Sequence, residues 1–159
     1  ENDTIFRKQI IDGYVHDMGA AMQGGIGGHA GLFSNANDLA KMMQMYLQKG
    51  VYGGEYYLAK EVIKDFTRCQ FPDEENRRGA AFDKPALKDQ EGGPASENAS
   101  LNGFGHSGFT GTLVWVDPDT KIIYVFLSNR IYPDANNTKL LDMNVRTDIM
   151  EVIFDYVND

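Results

Sequence analysis

Cysteine is nearly absent from this 159-residue chain: Cys69 is its single thiol. One thiol excludes an internal disulfide and any cysteine-rich metal site. Cys69 falls in a helical pattern, where a buried, inert thiol is expected. Histidine is scarce as well, with three residues, His16, His29 and His106, far apart in the sequence. Their spacing matches no metal-ligand signature, so no metal and no cofactor is expected. Long apolar runs are missing. The longest, Ile122 to Leu127, falls far short of the roughly 20 residues a membrane helix needs. Positive charge is also short. Fifteen Lys and Arg stand against 23 Asp and Glu, a formal net charge of −8, and basic residues form no run longer than two. Binding to phosphate backbones needs clustered Lys and Arg, so no nucleic-acid partner is expected.

What remains is an ordinary apolar fraction, 42%, and a length that fits one globular domain. Residues 1–33 read as irregular, because Gly24-Gly25-Ile26-Gly27-Gly28-His29-Ala30-Gly31 is too glycine-rich for a helix interior. Ser34 stands at a helix N-cap, with Asp38 in the first turns. Leu39, Met42, Met43, Tyr46 and Leu47 then share one apolar face, and Gly50 supplies the stop. A second helix is expected over about 58–69, with Leu58, Val62, Phe66 and Cys69 on one face. From 70 to 102 the chain is polar, with three prolines and a Gly92-Gly93-Pro94 break. It reads as a long excursion with one short strand around 80–82. Thr112–Val116 and Lys121–Ser128 are β-branched and aromatic, joined by a type I turn at Asp117-Pro118-Asp119-Thr120. The second run is apolar on both faces and reads as an interior strand. A last helix is expected over about 140–157, its stripe formed by Val145, Ile149, Val152, Ile153 and Tyr156 and packed on the two strands.

The most informative stretch is Gly103-Phe104-Gly105-His106-Ser107-Gly108-Phe109-Thr110-Gly111-Thr112. Glycine lets another backbone or a ligand approach closely, and histidine can be neutral or charged near pH 7. His106-Ser107-Gly108 before a strand pair resembles the third motif of the serine β-lactamase and penicillin-binding-protein family, a Lys-Thr-Gly triplet on an edge strand. In class C-like and esterase-like members, His often replaces the Lys. Val15-His16-Asp17, Gly28-His29-Ala30-Gly31-Leu32-Phe33-Ser34, Asp38-Leu39-Ala40, Trp115-Val116-Asp117-Pro118 and Leu127-Ser128-Asn129-Arg130 also resemble that family, in its order. The resemblance covers most of the chain and is weakest between about 70 and 100.

The resemblance implies an α/β (α+β) fold of the β-lactamase/transpeptidase type, an antiparallel sheet packed with helices. It implies that the backbone N–H of Phe109 is an oxyanion donor, that Gly108 keeps the edge open, and that His106 and Ser107 hydrogen-bond within the cleft. It implies a bacterial, periplasmic or extracytoplasmic setting and a small-molecule or peptidoglycan-like substrate. One family element is not found: no Ser is followed three residues later by Lys. Ser96-Glu97-Asn98 fits a looser Ser-x-Asn form but comes late for the second motif. The expectation is therefore that residues 1–159 are the C-terminal part of a serine hydrolase domain, inactive alone. Its partners would be the N-terminal half of the same domain or a second copy, through an unpaired sheet edge. Two other readings stay open. One is a non-catalytic accessory or peptidoglycan-binding module of the same fold. The other is an unrelated α+β interaction domain. His16 and Asp17, adjacent in an extended segment, point apart and read as structural, as does His29 in its glycine-rich turn.

Overall fold

The computed structural model describes residues 2–87 and 92–158. Residues 88–91 of the expected 70–102 excursion lie outside the described residues. The centre is a three-stranded antiparallel sheet of β5 (Phe104–Ser107), β6 (Leu113–Asp117) and β7 (Ile122–Phe126), in that spatial order. The register pairs His106 with Val114, Val114 with Val125, and Trp115 with Tyr124.

Side chains alternate across β6, so its two faces build two cores. Leu113 and Trp115 join Tyr124, Ala99, Met150 and Phe154 on one face. Val114 and Val116 join Phe104 and Met43 on the other, with Leu39, Tyr46, Leu47 and Phe82 packed around them. Helix α5 (Val145–Asn158) covers the first face and α2 (Ala36–Leu47) the second. Each fully buried large side chain contributes about 1.5–3 kcal/mol. Phe82 locks the second core edge-on, 5.4 Å from the Tyr46 ring and 5.2 Å from Phe104.

The sandwiching explains why the second strand reads as apolar on both faces, but among the described residues the central strand is β6, with β7 outside it. Every residue of β6 is buried, whereas β7 is mostly half-buried and pairs only with β6 among the described residues. The polar excursion is tied down rather than stranded. An isolated bridge joins Asp83 to Gly105, where Ala80–Phe82 was expected to form a strand. Ala81 sits at φ 61°, which breaks an extended run there.

Local capping rules hold with small shifts. Asn35, not Ser34, caps α2: its side chain accepts from the Asp38 N–H. The helix unwinds through Lys49 and Gly50, both at positive φ, and a Cβ on Gly50 would lie 2.0 Å from the Leu58 carbonyl oxygen. The next hairpin, β3 (Val51–Tyr52) and β4 (Glu55–Tyr56), leads into α3 (Lys60–Thr67). Helix α3 is shorter than expected, so Cys69 lies beyond it, half-buried, its thiol donating to the Asn76 carbonyl at 3.4 Å. Only Ile63 of α3 is buried; Val62 and Phe66 are exposed.

The N-terminal third is more ordered than its composition implied. It contains a small hairpin, β1 (Asn2–Asp3) with β2 (Gln9–Ile10), and α1 (Met18–Met22). The C-terminal helix divides into α4 (Lys139–Asp142) and α5, with Asn144 at φ 51° between them.

The buried face of α5 is not the expected stripe. Met150 and Phe154 are fully buried, whereas Ile149, Val152, Ile153 and Tyr156 are exposed. The helix carries apolar residues around much of its circumference, so periodicity alone cannot select a face. Packing selects the pair that fills the space beside Trp115 and Leu113. Polar contacts agree. On the flank of that face, Glu151 accepts from the Ser96 hydroxyl and the Asn98 amide, and Asp155 accepts from the same amide at 2.6 Å.

Candidate functional site

The His106-Ser107-Gly108 strand end occupies the outer edge of the sheet. Among the described residues, strand β5 pairs with β6 on one side, and at Gly105 its other side is taken by Asp83. Gly105 is required by packing. An added Cβ would lie 2.1 Å from the Val114 carbonyl oxygen and 2.6 Å from Trp115 Cε3. His106 lies opposite Val114, so it projects on the α2 side of the sheet and is exposed. Its Nδ1 is 2.7 Å from the Ser107 carbonyl oxygen. Ser107 and Gly108 are half-buried.

Past β5 the chain turns tightly. Gly108 N–H donates to the Thr112 carbonyl at 2.8 Å, and Gly111 N–H to the Gly108 carbonyl at 2.9 Å. A Cβ on Gly108 would meet Thr112 Oγ1 at 2.4 Å, so its close neighbour is its own hairpin. Phe109 follows with 64% of its surface exposed. Its carbonyl accepts from Arg130 Nε at 2.8 Å, and the guanidinium carbon lies 4.6 Å from its ring centroid. The His16 ring stacks on Phe109 at 5.3 Å, with planes 12° apart. Among the described residues, the Phe109 N–H meets no acceptor.

Tertiary structure thus brings His16 and Arg130 to the predicted site residues. Each lies in a segment that carried the family resemblance, but spacing alone assigned neither a place beside Phe109. Arg7 underlies His16: it donates to the Val15 carbonyl at 2.5 Å and the His16 carbonyl at 2.8 Å. Asp3 in turn holds Arg7 at 2.8 Å, and this hydrogen bond, with three backbone N–H donors, keeps the Asp3 carboxyl well below its ordinary value. A cleft of about 60 Å³ between Asp3, Arg7, His16 and Met18 is too small for an organic substrate.

The structure separates other candidates. Asp17 does not pair with His16. Its Oδ1 caps α1 through the Ala20 N–H at 2.6 Å and meets His29 Nε2 at 2.8 Å. Both contacts, the helix-end N–H first, lower the Asp17 pKa. Ser96 and Asn98 are held on α5, on the sheet face opposite His106, so the Ser-x-Asn triplet does not join it. Tyr156-Val157-Asn158 also has the Tyr-x-Asn form of a second motif. It lies in the last turn of α5 with Tyr156 exposed, and the order along the chain is wrong for that role. No group of His, Cys, Asp and Glu among the described residues could hold a metal ion.

Comparison with known proteins gives a consistent picture. The model of the Beta-lactamase family matches residues 6–145. A putative D-alanyl-D-alanine carboxypeptidase of Salmonella typhi is 35% identical over 135 residues, spanning 84% of this chain and 31% of that protein. The protein of the same description from Salmonella paratyphi B matches at the same identity and coverage. The chain therefore spans about a third of the length of these relatives. The crystal structure of a beta-lactamase from Mycobacterium bovis superposes with a TM-score of 0.59 at 22% identity, covering 80% of this chain and 46% of that one. The ordered motifs, the helix-flanked antiparallel sheet with its His-Ser-Gly edge, and the family match over most of the sequence place this chain in the beta-lactamase family.

Proposed function

We propose that the chain is the C-terminal part of a serine hydrolase domain that works through an acyl-enzyme. The substrate is an ester, an amide or a β-lactam, with a peptidoglycan-like peptide favoured by the carboxypeptidase description of the relatives. The observation that carries this reading is the N–H of Phe109 at the end of the His-Ser-Gly edge, which meets no acceptor among the described residues. In acyl transfer, negative charge develops on the carbonyl oxygen. A fixed N–H aimed there lowers the barrier, and loss of one such donor costs about 2.7–4 kcal/mol. His106 and Ser107 line the same edge as hydrogen-bonding groups for substrate. The attacking serine, with its lysine, belongs to sequence upstream of this chain.

The side of β7 that is unpaired among the described residues is where further strands of the sheet would add. Without them, the isolated chain is expected to self-associate or exchange strands, and sedimentation from micromolar to millimolar concentration measures this. A monomer throughout would count against an unpaired edge.

Two assays test the catalytic reading. A chromogenic cephalosporin and a short-chain nitrophenyl ester should turn over with the full-length gene product and not with residues 1–159. Intact mass should show an acyl adduct only on the longer protein. An adduct on any serine of the short chain would overturn the division of labour. No adduct on either would favour a non-catalytic peptidoglycan-binding module.

A further inference from the structure

We propose that Arg130 and His16 are positioning residues that fix the Phe109 peptide at the end of the His-Ser-Gly strand. This inference rests on the reading of the Phe109 N–H as the acyl-oxygen donor. Such a donor is useful only if it is held still, since displacement by about 1 Å costs on the order of a hundredfold in rate. Yet Phe109 lies outside β5, is 64% exposed, and among the described residues has no acceptor to hold its N–H. An exposed turn residue of that kind is ordinarily mobile.

The restraint comes from the other atoms of the residue. Arg130 Nε donates to the Phe109 carbonyl at 2.8 Å while the guanidinium lies 4.6 Å from the ring centroid. One side chain therefore grips both backbone and ring. Arg130 is itself anchored: Nη1 donates to the Ala135 carbonyl at 3.0 Å and the Asn137 carbonyl at 3.3 Å. Its backbone N–H and the Ser128 hydroxyl both donate to the next carbonyl, that of Thr110, at 3.0 and 3.2 Å. His16 stacks on the same ring and is braced from below by Arg7, which Asp3 holds. The grip needs the planar fork of arginine; lysine has neither the flat face nor the divergent donors.

The test uses nitrogen-15 relaxation on the 159-residue chain and needs no catalysis. In the parent, the Phe109 amide should have an order parameter near that of rigid backbone, about 0.85. Arg130→Met should drop it below about 0.6, His16→Ala should lower it in the same direction, and Arg130→Lys should not restore it. The amides of Val114 and Trp115 should stay rigid in every variant. If Arg130→Met compromises folding, Arg130→Lys carries the test by itself. A Phe109 amide as ordered in the folded variants as in the parent overturns the proposal. So does an equal loss across β5 and β6, which would mark a merely structural role. The full-length gene product separates the proposal from the reading beneath it. Arg130→Lys there should lower kcat about a hundredfold with KM little changed. A mobile Phe109 with unaltered kcat would leave the positioning role standing and remove the oxyanion role.

Discussion

The Asp117 carboxylate, fully buried at the end of β6, accepts the backbone N–H of Ser100 at 2.7 Å and its hydroxyl at 2.8 Å. It also accepts the N–H groups of Asp119 and Thr120 in the turn that follows. One side chain thus closes the β6–β7 turn and pins the polar excursion to the sheet. Asp117→Ala leaves these donors without their acceptor and should cost about 3 kcal/mol. Urea denaturation measures it; a change below about 0.5 kcal/mol, the range of ordinary surface substitutions, would show that the pin is dispensable.

Gly105→Ala places a methyl group against the Val114 carbonyl and the Trp115 ring. Neither is the free end of a flexible side chain, so relief requires β5 to move away from β6. A loss of about 3 kcal/mol is expected, at the upper end for overpacking. The Trp115 fluorescence maximum should shift as its packing changes. Unchanged stability and spectrum would mean that the strands are looser than their register implies.

The two apolar faces of α5 give opposite expectations. Phe154→Ala empties a fully buried site and should cost about 3–5 kcal/mol. Tyr156→Ala, on the 85% exposed face, should change the isolated chain by no more than about 0.5 kcal/mol. Thermal unfolding of the two variants side by side decides which face meets the sheet; a reversed ranking would support the face read from periodicity.

Lys84 is buried, with its Nζ donating to the Asn102 carbonyl at 3.1 Å. Burial pushes its pKa below the ordinary 10.5, against the opposing pull of Cys69, Asp117 and Asp119. Between the lowered folded value and 10.5, the unfolded chain binds the extra proton. Stability contributed by this group therefore rises with pH across that window. Lys84→Met should flatten the rise. The difference in Tm between parent and variant, followed from neutral to alkaline pH, checks the sign; a difference that grows in the variant's disfavour as pH falls would contradict it.

Much of the fold was legible in the residue order. The existence of α2, with Asp38 in its first turn and its Met43 face, and the β6–β7 hairpin follow from periodicity and turn chemistry, although the cap is Asn35 rather than the expected Ser34; the edge at His106 was legible through the family-like motif. The core face of α5 was not legible, because a helix apolar on several sides has no unique stripe. Nor was the rank of the strands: β6 and β7 have similar composition, and only pairing tells the central strand from the outer one. His16 and Arg130 were visible inside family-like segments, but their shared contact with Phe109 spans more than 90 residues of chain and leaves no local periodic signal.

Composition and motif order alone determined the class of this protein: acidic, without disulfide or metal signature, helix and strand mixed, with a His-Ser-Gly edge of the beta-lactamase family. They could do so because charge, cysteine count, capping and alternation are properties of neighbouring residues. Tertiary structure decided which face of α5 is core, that Ser96 and Asn98 serve as anchors away from the edge, and that His16 and Arg130 meet at Phe109. Those outcomes depend on which distant surfaces fit one another, and fit is a property of packed volumes rather than of sequence spacing.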